Sequence, residues 1–387
     1  MTATLRPFEQ PATEVLPGLV LAAEQTQGWR TRGDQRLDHI FEERCDWISE
    51  HGWPGHLAVD SHDLRLTYDE LDARTNQLAR YLRLSGASAG DRIALLFDRP
   101  VDAYLGMLAV LKIGAAYVPL DGGSPTDRLA YIVADARAKM VLTRSDVREW
   151  IEHIKALTTS DIELLFIDDA APLIAEMNEC RLLPVERGSH KDQLAYLSYT
   201  SGSTDRPEGL AIDHPSICSL VQAAAEIYGI GPRDRVYQDL TVAFGFSAEE
   251  IWAPWATGAT LVLEPPDASL LGQDLHEFLT ERRVTAMCCV PALLATIEDD
   301  LPNLRLLLIS GDACPQDLIT RWHKPGRRFL TVSRPAEATV SATWTELHPD
   351  QHHGRIELTE SEPVPLRVPE SAQATAVAEP ALASAAP

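Results

Sequence analysis

No apolar run in this 387-residue chain approaches the roughly 20 residues that cross a bilayer, so a helical membrane span is not expected. The stretch VLPGLVLAA at residues 15–23 follows Glu9 and Glu14 and is broken by Pro17 and Gly18. A secretory leader wants a basic start and a smoother apolar run, so none is expected either. Positive charge is scarce: Lys and Arg total 34 against 57 Asp and Glu, a formal net charge of −23. That balance excludes a polymeric nucleic acid as partner of the whole surface, because duplex binding rests on neutralising phosphates. The six cysteines (Cys45, Cys180, Cys218, Cys288, Cys289, Cys314) show no CxxC spacing for zinc or redox work. Cys288 and Cys289 sit in VTAMCCVPALL, where they read as small buried hydrophobes. A reducing compartment, the cytoplasm, is the expectation that follows. With 45% hydrophobic and 24% charged residues, the chain is not disordered throughout.

What is present is a globular α/β pattern. Residues 1–36 show no sustained period and read as an irregular lead-in. From there, Leu37, Ile40, Phe41, Cys45 and Ile48 fall on one helical face. Thr67 with Glu70 predicts a capping box, followed by a stripe of Leu71, Leu78 and Leu82. Helices are expected over 100–112 and from Ser124, with Pro125 in the first turn. The short runs RIALLF, AYVPL, KMVLT, LLFID, LAYLSYT, TLVLE, VTAMCCV and LRLLLIS lie between helical stretches. Such alternation argues for α/β layers with largely parallel sheets. The core is expected over 37–350. Residues 351–387, rich in Ala and Pro toward the end, read as a disordered tail. His348, His352 and His353 do not make a metal site by spacing, since Pro349 breaks any helix through them.

The segment LAYLSYTSGSTDRPEG (Leu194 to Gly209) is a strand followed by a loop of hydroxyl residues and glycine. Such a loop is either an ordinary turn or a cradle whose N–H and hydroxyl groups enclose phosphate oxygens. It lacks the lysine pattern GxxxxGK[ST] of the common nucleotide loop.

The loop resembles the signature of the adenylate-forming superfamily, in the form found in adenylation domains of nonribosomal peptide synthetases. Other landmarks resemble that family in the same order: Leu66 to Arg83, Leu111 to Thr143, AFGFSAEEIW (Ala243 to Trp252), VPALL (Val290 to Leu294), SGDACP (Ser310 to Pro315) and SRPAEATVSATW (Ser333 to Trp344). The resemblance implies an α/β fold of layered, largely parallel sheets flanked by helices, like the large N-terminal domain of those enzymes. It implies attack of a carboxylate on the α-phosphorus of ATP, giving an acyl-adenylate and pyrophosphate. ATP with Mg²⁺, a small carboxylic or amino acid, and a carrier protein or synthetase partner come with it. Thr200, Ser201, Gly202, Ser203 and Thr204 would hold the pyrophosphate end, while Gly311, Asp312 and Ala313 would border the adenine. Glu337 matches the magnesium-associated glutamate. The substrate pocket would be lined by Gly245, Phe246, Glu249, Leu308, Ser310, Val332, Val340 and Ser341. No catalytic residue is assigned.

The chain departs from the family pattern in four places. In the phosphate loop TSGSTGxPKG, the third glycine is Asp205 and the lysine is Glu208, two acids facing anionic phosphates. At an effective dielectric near 20, one unit pair ~4 Å apart is worth about 4 kcal/mol, and here the sign is adverse. Gly245 stands where the family has the aspartate that pairs with an α-ammonium. Glu249, four residues on, either substitutes for it or is an ordinary helix-face acid. In NxYGPTE, the tyrosine is Ser333, the glycine Arg334 and the threonine Ala336, so the adenine loses an aromatic face. After about His353 the resemblance stops, and most of the small barrel and the C-terminal lid are expected to be missing. These features together lead to the expectation of a truncated, degenerate adenylation domain whose activity is weak or lost. The alternatives are a working ligase with its lid supplied in trans and a non-catalytic partner module of a synthetase.

Overall fold

The computed structural model describes residues 35–158, 161–187, 194–199, 207–265, 268–311, 313–333 and 343–347. The lead-in before residue 35 and the segment after residue 347 lie outside the described residues. In chain order the strands are β1 (Leu57–Asp60), β2 (Arg65–Thr67), β3 (Arg92–Leu95), β4 (Ala116–Pro119), β5 (Met140–Thr143), β6 (Glu163–Phe166), β7 (Leu194–Tyr199), β8 (Gly209–Asp213), β9 (Arg235–Gln238), β10 (Thr260–Leu263), β11 (Ala286–Cys289), β12 (Leu306–Ser310), β13 (Arg328–Ser333) and β14 (Thr343–Glu346).

They form two sheets. The six-stranded sheet runs β6-β5-β3-β4-β7-β8, and the eight-stranded sheet runs β14-β13-β12-β11-β9-β10-β1-β2. Pairing is parallel throughout both interiors and turns antiparallel at three edges, β7 with β8, β13 with β14 and β1 with β2. The expected α/β class and largely parallel sheets are what the chain adopts.

Alternation along single strands builds the layers. In β12, Leu306 and Leu308 face a central core, while Leu307 and Ile309 face a second one. That period of two is the signature of a strand covered on both faces. The central core joins both sheets through the helices Leu37–Glu50, Tyr68–Leu84, Pro100–Lys112, His214–Tyr228 and Ser247–Thr257. The outer face of the six-stranded sheet is covered by Thr126–Asp135 and Arg148–Leu157, and that of the eight-stranded sheet by Gly272–Glu281 and Gln316–Trp322. The result is five layers, helices alternating with sheets.

The expected helix face of Leu37, Ile40, Phe41, Cys45 and Ile48 is buried. The capping box is present: Glu70 N–H donates to Thr67 Oγ1 at 3.1 Å, and Thr67 N–H to Glu70 Oε2 at 2.9 Å. Such a cap is worth about 1 kcal/mol. Pro125 serves as the N-cap of Thr126–Asp135 rather than a residue of its first turn, because its ψ of 146° is extended.

Candidate functional site

The chain leaves β9 toward β10 on one side and later returns to β11 on the other. A sheet that reverses its winding opens a crevice at the carboxyl ends of those strands, where ligands bind in open α/β sheets. Here the crevice is a cavity of about 590 Å³. It gathers the carboxyl ends of β4 (Pro119), β7 (Ser198, Tyr199), β12 (Ser310) and β13 (Val332), with Val290 just past β11. The segment Leu240–Phe246 that follows β9 makes one wall. Both sheets therefore contribute, and the size suits a small-molecule ligand.

The β7–β8 hairpin forms the opposite wall. Tyr199 pairs with Gly209 across it, so both ends of the intervening loop are held. A Cβ on Gly209 would come within 2.9 Å of the Tyr199 ring, so only glycine lets the ring lie there. The Tyr199 hydroxyl donates to Asp135 Oδ2 at 2.8 Å. Burial, then that carboxylate, pushes its ionisation far above the usual phenol range. Tyr117 and Tyr196 stack with centroids 5.1 Å apart behind the hairpin. Gly311, at φ +86°, turns the chain out of β12 in a conformation that favours glycine.

Of the residues expected at the site, Gly245, Phe246, Ser310, Gly311 and Val332 line this cavity together. Ala313 is exposed just beyond it, and Glu208 is exposed beside Gly209. Ser333 ends β13. Thr200, Ser201, Gly202, Ser203, Thr204, Asp205, Asp312, Arg334, Ala336, Glu337, Val340 and Ser341 lie outside the described residues. Among the described residues, no group of three or more His, Cys, Asp or Glu is arranged to hold a metal ion.

Two expected pocket residues lie elsewhere. Leu308 and Glu249 line a separate cavity of about 10 Å³ behind Phe246, whose ring is a wall of both. The helix-face reading of Glu249 is corrected here: it is fully buried, and the Tyr228 hydroxyl donates to its Oε2 at 2.9 Å. The reason is that every residue of Ser247–Thr257 is buried, so this helix has no solvent face. Its neighbour Glu250, 5% exposed, was not anticipated. Glu250 Oε2 accepts from the Gln238 amide at 2.8 Å and the Leu240 N–H at 3.2 Å, while Oε1 has no partner among the described residues. Burial pushes the Glu250 carboxyl up to about 8, against the pull of the Gln238 and Leu240 donors. Cys288 borders the same cavity, its thiol raised by burial. Tyr196, Tyr199, Phe244 and Arg128 also line the large cavity without having been anticipated.

A cavity at the carboxyl ends of two doubly wound sheets, walled by a strand–loop–strand hairpin, defines a ligand-binding α/β domain. The chain matches the AMP-binding enzyme family over residues 47–365, and belongs to it. Bacitracin synthase 3 of Bacillus licheniformis is 34% identical over 311 residues, 80% of this chain and 5% of that one. Novobiocin biosynthesis protein H of Streptomyces niveus is 36% identical over 299 residues, 76% of this chain and 48% of that one. The chain thus spans less than half the length of both relatives. Among solved structures, the nonribosomal peptide synthetase FmoA3 with α-methyl-L-serine-AMP superposes with a TM-score of 0.70 at 27% identity, covering 86% of this chain and 37% of that one. The N-terminal domain of FACL13 from Mycobacterium tuberculosis gives 0.71 at 22% identity, covering 80% and 78%, a likeness of fold.

Proposed function

We propose that this chain is an adenylation domain of the peptide-synthetase type whose ATP chemistry is weak or lost. The family's acid activation supplies the reaction class: a carboxylate and ATP give an acyl-adenylate and pyrophosphate, and a carrier-protein thiol then takes the acyl group and releases AMP; Glu337 would hold the Mg²⁺ that neutralises the phosphates. The core of residues 37–350 carries the binding. The observation behind the loss is the acid pair Asp205 and Glu208 on the loop joining β7 to β8, because both strands line the cavity. Phosphoryl chemistry is mostly positioning and charge neutralisation, and two carboxylates at the phosphate end oppose both. The change of aromatic to Ser333 at the end of β13 works in the same direction, removing a stacking face.

The test pairs binding with turnover. ATP·Mg²⁺ should raise the melting temperature of the natural chain little and that of the Asp205→Gly, Glu208→Lys double variant clearly, since a ligand stabilises by mass action. Pyrophosphate exchange with a panel of carboxylic acids should be near background for the natural chain. Robust exchange there would promote the working ligase.

A further inference from the structure

The cavity of about 590 Å³ is poor in charge. Among the described residues its lining holds one carboxylate, Asp121, and one cation, Arg128. Asp121 is tied to its own loop: Oδ1 accepts from the Gly123 N–H at 3.1 Å and Oδ2 from the Ser124 hydroxyl at 3.2 Å. Arg128 lies in the first turn of the helix Thr126–Asp135, and Ile132, four residues on, faces the cavity with it. Leu129, Ala130 and Val133 sink the same helix into the core outside the six-stranded sheet. Its last residue, Asp135, accepts the Tyr199 hydroxyl, so the helix is fastened to the strand that leads into the loop between β7 and β8. Rigid elements therefore hold Arg128 at the wall of the cavity, on the side of the β7–β8 hairpin.

We infer that Arg128 receives the phosphate of a nucleotide bound in this cavity, and that the cavity holds an adenosine monophosphate group in preference to ATP. A guanidinium presents five N–H donors in a planar fork that matches phosphate oxygens, so it can bind a phosphate without giving up a protein partner. The preference follows from charge. One cation balances one phosphate, whereas the further phosphates of ATP bring more negative charge to a loop that carries Asp205 and Glu208. The inference rests on the adenylation reading above and narrows its ligand to an adenylate, the species with a single phosphate, rather than the triphosphate. It is independent of which acid occupies the acyl end.

The experiment is calorimetry of the full chain with adenosine, AMP and ATP·Mg²⁺. AMP should bind about tenfold tighter than adenosine, as expected for one charge-assisted pair, and tighter than ATP·Mg²⁺. Arg128→Gln keeps a polar side chain and removes the charge. It should bring AMP down to the level of adenosine and leave adenosine itself unchanged. Arg128→Lys should restore part of the difference, because a point charge remains while the fork is lost. An equal loss for adenosine and AMP in R128Q would make Arg128 only a wall of the cavity and overturn the assignment. Tighter binding of ATP·Mg²⁺ than of AMP by the natural chain would overturn the preference. Unchanged AMP affinity in R128Q, with the Asp205→Gly, Glu208→Lys variant still gaining ATP binding, sinks this inference and leaves the adenylation reading standing. No nucleotide binding by either the natural chain or that double variant sinks both.

Discussion

Asp38, Glu42 and Asp72 are buried about as deeply as Glu249 and Glu250, yet the two groups are solved in opposite ways. The first is packed with cations. Lys112, fully buried on Pro100–Lys112, donates to Glu42 at 3.0 Å, Asp72 at 2.5 Å and Asn76 at 2.7 Å. Arg187 reaches Asp38 at 3.0 Å and both oxygens of Glu42 at 2.7 Å, and Arg181 adds a bond to Asp72 at 2.9 Å. These contacts tie three helices and the segment before β7 into one piece. The second group has no cation in its described lining and one carboxyl oxygen with no donor among the described residues. The first group is held by pairing its charges, whereas in the second burial pushes the Glu250 carboxyl toward its neutral form.

The contrast between the two clusters breaks most sharply at Lys112. Lys112→Met should destabilise by about 3–5 kcal/mol in urea unfolding, since it strands Glu42 and Asp72 without their shared cation. Loss of less than about 1 kcal/mol would show that the network is ornamental.

Smaller effects come from pH, and the two groups move in opposite directions. The Glu250 carboxyl titrates near 8 in the fold against an ordinary 4.5. The unfolded chain therefore ionises first, and this group's contribution falls as pH rises from about 4.5, levelling off above about 8. The drop is at most about 4 kcal/mol, and Glu250→Gln should flatten it in melts taken from pH 5 to 9. At Asp38, burial works against ionisation, but Arg36, His39, His214 and Arg187 hold the carboxyl at about 2 against 3.8. Its contribution of about 2 kcal/mol is complete above pH 4 and is lost as pH falls through 2. Asp38→Asn should remove that acid limb and leave the alkaline one alone.

The smallest expected effect marks the baseline. Arg148 and Asp169 are a largely exposed pair, with the Arg148 guanidinium also 3.7 Å over the Phe166 ring. Arg148→Ala should cost no more than about 1 kcal/mol, because solvent already satisfies both charges. A larger loss would mean that pairing, rather than burial, separates the two clusters.

The layered α/β pattern was legible because buried strands and amphipathic helices write period and length directly into residues such as Leu306–Ile309 and Leu71, Leu78 and Leu82. Strands β1, β9 and β13 and the edge strands β2, β8 and β14 were not singled out. Their short stretches mix charge with apolar residues, as in RVYQ and RLT, and depend on neighbours from distant sequence. At the site, the Gly245–Phe246 turn and the Ser310–Gly311 exit were legible from local motifs. Glu249 was left open between two roles because a helix wheel treats an acid as surface. The signal against that reading was nearby: Trp252 and Trp255 together with Ala248, Ala253 and Ala256 leave no polar face in Ser247–Thr257. Tyr199 and Arg128 were hidden because a cavity drawn from two sheets has no linear spacing.

Strand β1 has its sheet partner, β10, some two hundred residues later: Val59 pairs with Leu261 and Asp60 with Val262. During synthesis at roughly 5–20 residues per second, β1 and β2 therefore emerge long before the edge they complete exists. Until then, the hairpin's apolar residues Leu57, Val59 and Leu66 must be shielded some other way, and such distant pairing slows the search for the fold. The same connection means that the chain cannot be divided between its sheets into two self-sufficient pieces. A fragment ending before residue 260 would carry the β1–β2 hairpin without β10, the strand that joins it to the sheet, so a split version of this protein would need both halves present before either could finish folding.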